Sequence, residues 1–131
     1  MVTQEQYEQA VKTFNTRLAE LESTCRASGI RVRKTCGMRT DDQQRTLYSI
    51  GRTRPGRIVT DCRPGQSPHN WNLGADYAII VNGKCDWNGN SPRWKIFGLI
   101  ALDCKLTWGG LFKDIKDCPH VQLPGWKKFK R

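Results

Sequence analysis

Only two histidines occur in this 131-residue chain, and each stands near an aspartate in a short polar stretch. His69 and Asp76 lie in SPHNWNLGAD; Asp117 and His120 lie in DCPH. Two neutral imidazoles and a carboxylate form a three-ligand set suited to a catalytic zinc. The fourth position is left for water, and one carboxylate is left over for proton transfer. Either fragment alone reads as readily as a structural histidine beside a turn. About 40 residues separate the two fragments, so only the fold can bring them together.

Other stretches carry weaker chemistry. DWNGN at 86–90 imitates the start of a calcium loop, but it lacks the sixth-position glycine and has Phe97 where the closing glutamate belongs, so it reads as a solvated turn. The six cysteines (Cys25, Cys36, Cys62, Cys85, Cys104 and Cys118) include no C-x-x-C pair, which excludes a thiolate zinc knuckle and a thioredoxin-type motif. Buried free thiols are the favoured reading, with a disulfide framework the alternative that an even count permits. The end of the chain, Trp126 to Arg131, interleaves aromatic and basic residues. That pattern suits anionic lipid or wall polymer, and it equally suits a frayed, soluble end.

The elements that must position these residues are legible from periodicity. Residues 3–28 read as an amphipathic helix with Tyr7, Ala10, Val11, Phe14, Leu18, Leu21 and Cys25 on one face, a Thr3/Gln6 capping box and a terminal Gly29. IRVRKTC alternates as a half-wet strand should. A second helix is predicted from Asp41 to Ile50, capped by Thr40 and stopped by Gly51. Residues 51–68, GRTRPGRIVTDCRPGQSP, are too irregular for a core element and read as a functional or mobile loop. DYAIIV is a buried strand leading to an Asn82-Gly83 turn. Ser91-Pro92 opens a helix through Cys104, with Trp94, Phe97, Ile100 and Ala101 inward. KLTWGGLFKDIKDCPHVQL is a last strand or loop segment.

Charge is unevenly placed. The chain carries 22 Lys and Arg against 12 Asp and Glu, a net +10. Residues 26–63 hold ten basic and three acidic side chains, and the last five residues hold four basic ones. Such fields attract polyanions, whether nucleic acid, anionic lipid or a bacterial envelope, and they also serve solubility. At this length a core needs no staples, and the aromatic content excludes a disordered tail protein. The N-terminal MVTQEQYEQ does not resemble an export signal and no apolar run is long enough to span a bilayer, so the expectation is a soluble chain made in the cytoplasm.

The run S-x-H-(six residues)-D at Ser67, His69 and Asp76, followed by D-x-P-H at Asp117, Pro119 and His120 within WGG…DCPHVQ, resembles the zinc L-alanyl-D-glutamate endopeptidases that bacteriophages use as endolysins. Residues 35–60, TCGMRTDDQQRTLYSIGRTRPGRIVT, are similar to that family's G-x-R-[ST] strand end, Q-x-x-L-Y helix and G-R-T-x-P-G loop. The resemblance covers about residues 14–123. The related D-alanyl-D-alanine carboxypeptidases and dipeptidases share the metal arrangement.

This resemblance implies an α+β fold, Hedgehog/DD-peptidase-like, in which a small antiparallel sheet packed with about three helices carries Zn2+ held by His69, Asp76 and His120. It implies that Asp117 is the general base, taking a proton from the zinc-bound water and returning it to the leaving amine. Arg39 would stabilise negative charge on the carbonyl oxygen. The plain alternative for Arg39 is a surface ion pair with Asp41 or Asp42. Two departures stand out: Asn72 occupies the family's glycine place and Gly74 its alanine place, and Leu111-Phe112 replaces a polar residue followed by Trp. Asparagine tolerates positive φ, so the turn can survive.

The implied function is cleavage of peptidoglycan stem peptides in host lysis by one catalytic domain over 1–131, with a basic tail at 125–131 and no separate wall-binding domain. Peptidoglycan would be the partner, with anionic envelope contacts through the tail, no specific nucleic acid and a monomeric state. The enzyme would collect in the host cytoplasm and reach the wall through a holin-type pore. D-alanyl-D-alanine cleavage is the alternative enzyme reading, though those relatives generally carry Glu where Asp117 stands. A basic nucleic-acid-binding module is the non-enzyme alternative, and no helix-turn-helix or zinc-finger signature supports it.

Overall fold

The computed structural model describes residues 2–130, so Arg131 of the basic tail lies outside the described residues. Helix α1 spans Gln4–Ala27, opened by the Thr3/Gln6 capping box and followed by Gly29 at φ +78°. Strand β1 is Val32–Cys36, and α2 is Asp41–Ser49, capped by Thr40 and Gln43. A 3₁₀ turn at Pro68–Trp71 leads into β2, Gly74–Val81, which hairpins through Asn82-Gly83 into the short β3, Lys84–Cys85. Both turn residues have positive φ, as the Asn-Gly signal requires. Helix α3, Pro92–Asp103, precedes β4 at Thr107–Trp108 and β5 at His120–Gln122.

All pairings are antiparallel, in the order β1-β2-β5-β4, with β3 pairing β2 off this path. The α+β expectation therefore holds, with three α-helices and a five-stranded sheet. Along β2 the side chains alternate between faces. Ala75, Tyr77 and Ile79 are fully buried in the core with Phe14, Leu18 and Leu21 of α1 and Trp94, Phe97 and Ala101 of α3. Tyr77 ties two layers together by donating to Glu22 of α1 at 2.6 Å and packing against Phe97 of α3. Asp76 points to the opposite face.

The six cysteines are free, in agreement with the thiol reading, but only Cys25 and Cys104 are buried. Burial pushes the Cys25 thiol up to about 11, so it packs as a small apolar group. DWNGN is a turn: Asp86 accepts from the Asn88 backbone and Asn88 from that of Asn90. No described helix is long and apolar enough to cross a membrane.

Candidate active site and metal centre

The sheet register sets out the site. Asp76 of β2 pairs directly with His120 of β5 on one side and with Cys36 of β1, at an irregularity in the ladder, on the other. Directly opposed residues share a face and lie side by side. His69 joins this row from the 3₁₀ turn. Ser67 caps the turn and Asn72 ends it at φ +56°, the left-handed geometry expected of the residue in the glycine place. The turn is pinned to the β1 strand end by Arg39 N–H donating to the His69 carbonyl (2.8 Å) and by Asn70 donating to the Arg39 carbonyl (3.0 Å). Gly74 eases the packing: a Cβ there would lie 3.0 Å from Pro68 and 3.3 Å from the His120 ring, so these neighbours would have to give slightly.

The structure thus brings His69, Asp76 and His120 together, with Asp76 between the two rings. His69 Nε2 lies 3.4 Å from Asp76 Oδ2, His120 Nδ1 lies 3.0 Å from Oδ1, and the ring centroids are 5.1 Å apart. The far nitrogen of each ring is engaged: His69 Nδ1 with the Gly37 carbonyl and His120 Nε2 with Gln122 Oε1, both at 2.8 Å. Both oxygens can only accept, so those nitrogens carry the protons. In neutral rings the lone pairs therefore face the carboxylate. Several acceptors converging without a donor call for a cation, and nitrogen and carboxylate donors with oriented outer partners suit zinc better than magnesium or calcium. Protonation of a ring answers the same need. Although burial opposes it, the Asp76 carboxylate raises the His120 pKa. Burial would likewise raise Asp76, but hydrogen bonds and charge from both histidines hold it well below the usual carboxylate range.

Asp117 lies beside this group: its carboxylate, Asp76 and the His120 ring offer ligand atoms all within 4.8 Å of one another. Cys36, His69 and Asp76 form a second such set. Much of Asp117 is open to solvent. Desolvation by the cleft nevertheless outweighs the neighbouring imidazoles and Arg39, leaving its carboxyl above the ordinary value. The DCPH turn is held by Asp117 N–H donating to the Gly109 carbonyl (2.9 Å) and His120 N–H donating to that of Asp117 (3.0 Å). A Cβ on Gly109 would strike the Asp117 carbonyl at 2.3 Å, so the second residue of WGG must be glycine. Phe112, one of the two departures, packs against the His120 ring at 5.8 Å and walls the site.

Arg39 reaches the same cleft, of about 980 Å³. Its partner is neither Asp41 nor Asp42: Nη1 donates to Gln44 Oε1 at 2.7 Å, and Nη2 points at Cys36 Sγ at 3.5 Å. The ion-pair alternative is thereby corrected, because Asp42 is taken by Arg45 one turn along α2. Gln44 is fully buried, and its amide donates to the Cys62 carbonyl at 2.8 Å, so one side chain joins Arg39 to the 51–67 loop. Arg52 braces that loop, lying 3.7 Å over the Tyr48 ring and donating to the Thr60 carbonyl.

No family model matches the chain. The peptidoglycan L-alanyl-D-glutamate endopeptidase CwlK of Bacillus subtilis is 37% identical over 111 residues, a match that takes in 79% of this chain and 66% of that protein. The chain belongs to the peptidoglycan L-alanyl-D-glutamate endopeptidase family. It spans slightly less than two thirds of the Bacillus relative's length. A crystal structure of the Serratia marcescens L-Ala D-Glu endopeptidase ChiX shares the fold, with a TM-score of 0.63 at 20% identity over 88% of this chain and 84% of that one.

Within this family member, several side chains at the site carried no role in the sequence reading. Gln44 belongs to the Q-x-x-L-Y helix, yet the motif alone does not say which partners it meets. Gln122 had a usable signal: two residues after His120 on a strand, it must share that histidine's face. Cys36 had none, since its place in the row depends on cross-strand register. The described part of the basic tail, through Lys130, is not frayed. Trp126 and Phe129 are 4% and 9% exposed, and Tyr7 stacks edge-on with both Trp71 and Phe129. Lys127 and Lys130 line the cleft.

Proposed function

We propose that this chain is a zinc-dependent endopeptidase that hydrolyses the L-alanyl-D-glutamate bond of peptidoglycan stem peptides. The observation that carries the reading is the convergence of His69, Asp76 and His120 with Asp117 alongside, all lining one cleft. His69, Asp76 and His120 would hold Zn2+, which when bound supplies Lewis-acid polarisation of the scissile carbonyl and a more acidic water. Gly37 and Gln122 fix the ring tautomers that present lone pairs to the ion. Asp117 accepts the proton of the attacking water and passes it to the departing amine. A carboxyl held above its ordinary value suits both halves of that task. Arg39, oriented by Gln44, faces the negative charge that grows on the carbonyl oxygen.

The resemblance of residues 35–60 to the phage enzymes supports the finer assignment: a phage endolysin acting as a monomeric catalytic domain, held in the host cytoplasm until a holin-type pore admits it to the wall. Its +10 charge suits an anionic envelope. Mass analysis of peptides released from purified peptidoglycan tests the bond specificity. New amino-terminal D-glutamate is the expected result, whereas released D-alanine would assign the D-alanyl-D-alanine reaction and refute this one.

A further inference from the structure

Asn70 follows His69 in the 3₁₀ turn and is 9% exposed. A side-chain amide offers two donor hydrogens and an oxygen with two lone pairs. Here all four are taken up by backbone groups. Oδ1 accepts from the N–H of Gly65 (3.1 Å) and of Ser67 (3.2 Å), while Nδ2 donates to the carbonyls of Arg39 (3.0 Å) and Thr40 (3.4 Å). The first pair holds the end of the 51–67 loop and the cap of the turn. The second pair reaches back about 30 residues to the link between β1 and α2.

The consequence falls on Arg39. Its N–H donates to the His69 carbonyl at 2.8 Å, and its own carbonyl accepts from Asn70. Both backbone groups of residue 39 are thus tied to the turn that carries His69, and these bonds set how far the root of the Arg39 side chain lies from that histidine. Gln44 holds the other end of the side chain, at the guanidinium. A cation that meets charge growing on a carbonyl oxygen acts best when it is fixed before the reaction. No other side chain of this size supplies the same four bonds. Asp has the shape but only acceptors, so its carboxylate would face the Arg39 and Thr40 carbonyls without a donor.

We propose that Asn70 is a positioning residue that sets the spacing between His69, in the metal-holding turn, and Arg39, the charge-stabilising side chain. It acts through the backbone of residue 39. The role given to Arg39 rests on the peptidase reading above, whereas the clamp itself rests on the hydrogen bonds.

The first measurement needs neither metal nor substrate. Amide hydrogen exchange, followed by NMR on the full chain, compares the parent with Asn70→Asp, which keeps the side-chain size and both acceptor contacts. The Arg39 amide should exchange roughly tenfold faster or more in the variant. The Tyr77 and Ile80 amides of β2, bonded to the Pro119 and Arg31 carbonyls, should keep the parent rate. An Arg39 amide protected as in the parent would overturn the proposal, and so would equal acceleration at all three amides, which would make Asn70 a general stabiliser of the fold.

A double-mutant cycle on a soluble stem peptide then tests the action through Arg39. Asn70→Asp should lower kcat roughly 10- to 100-fold with a smaller change in KM, and metal analysis should find the parent's content. In an Arg39→Ala background the same substitution should change kcat by less than about twofold, since the group it positions is gone. Equal losses in both backgrounds, or loss of the metal from Asn70→Asp, would overturn the assignment. Should Asn70→Asp fail to fold, Asn70→Ser, short and uncharged, carries both measurements. A parent that does not cleave L-alanyl-D-glutamate would sink the peptidase reading alone, because the exchange rates still decide the clamp.

Discussion

The two walls of the cleft are built by different means. On the sheet side, Cys36, Asp76 and His120 take their places from backbone pairing across β1, β2 and β5. Each is fixed by ladder hydrogen bonds that do not depend on its side chain. Across the cleft, the 51–67 loop has almost no regular structure, and a few polar side chains hold it, chiefly Gln44 from beneath and Arg52 over Tyr48. A wall fixed by register positions atoms closely for chemistry. A wall fixed by three or four hydrogen bonds yields more readily to the shape of a substrate.

This contrast can be broken experimentally, first on the sheet side. Replacing His120 by Ala should abolish metal binding and hydrolysis together while β5 remains paired, because two protein ligands remain and the ladder is untouched. Metal analysis alongside a cleavage assay checks this, and an active, metal-replete variant would remove His120 from the site. The Asp117→Asn protein should separate the two readouts, keeping its metal while turnover falls roughly 10²–10⁴-fold, the usual range for loss of a general base. If the ion is lost instead, Asp117 is a ligand, as its reach to Asp76 and His120 allows.

A smaller effect is expected one step out from the ligands. Gln122→Leu removes the acceptor from the His120 ring, and metal affinity should fall about 10- to 100-fold, measured by competition with a chromophoric chelator. An unchanged affinity would mean the strand alone orients the ring. The mildest consequence for the sheet should follow Gln44→Ala, which strips Arg39 of its acceptor and the Cys62 carbonyl of its donor. Local opening of the 51–67 loop should become easier by about 1–3 kcal/mol, the cost of leaving buried polar groups unpaired. Hydrogen exchange should show faster loop amides and unchanged β2 amides. Equal acceleration in both regions would mean that the walls are one cooperative unit.

Helix boundaries were largely legible because their signals are local. The Thr3/Gln6 and Thr40/Gln43 boxes each close within three residues, and Ser91-Pro92 opens α3 where the pattern says it should. Positive φ at Asn72 was likewise expected from its place in the turn. Arg39 lines the cleft, and its alternative reading as an ion pair with Asp41 or Asp42 fails. Asp41 and Asp42 are nearer in sequence, but it is Gln44, one turn into α2, that accepts from the guanidinium. The frayed-end reading of the tail failed for a related reason. The aromatic residues of the tail have no local signal of burial, and Phe129 is seated by Tyr7, at the other end of the chain.

By itself the sequence determined the donors and their chemistry: two imidazoles near two carboxylates, the turn that carries His69, and the strand that carries Asp76. Those follow from residue types and from hydrogen bonds spanning a few positions. Tertiary structure alone decided the register that sets Asp76 between Cys36 and His120, the reach of Gln44 from Arg39 to the loop, and the seating of Trp126 in the cleft wall. Most of these contacts join residues far apart in the chain. Their geometry comes from how the sheet pairs and how α1 and α3 cover it, which no short stretch of sequence encodes.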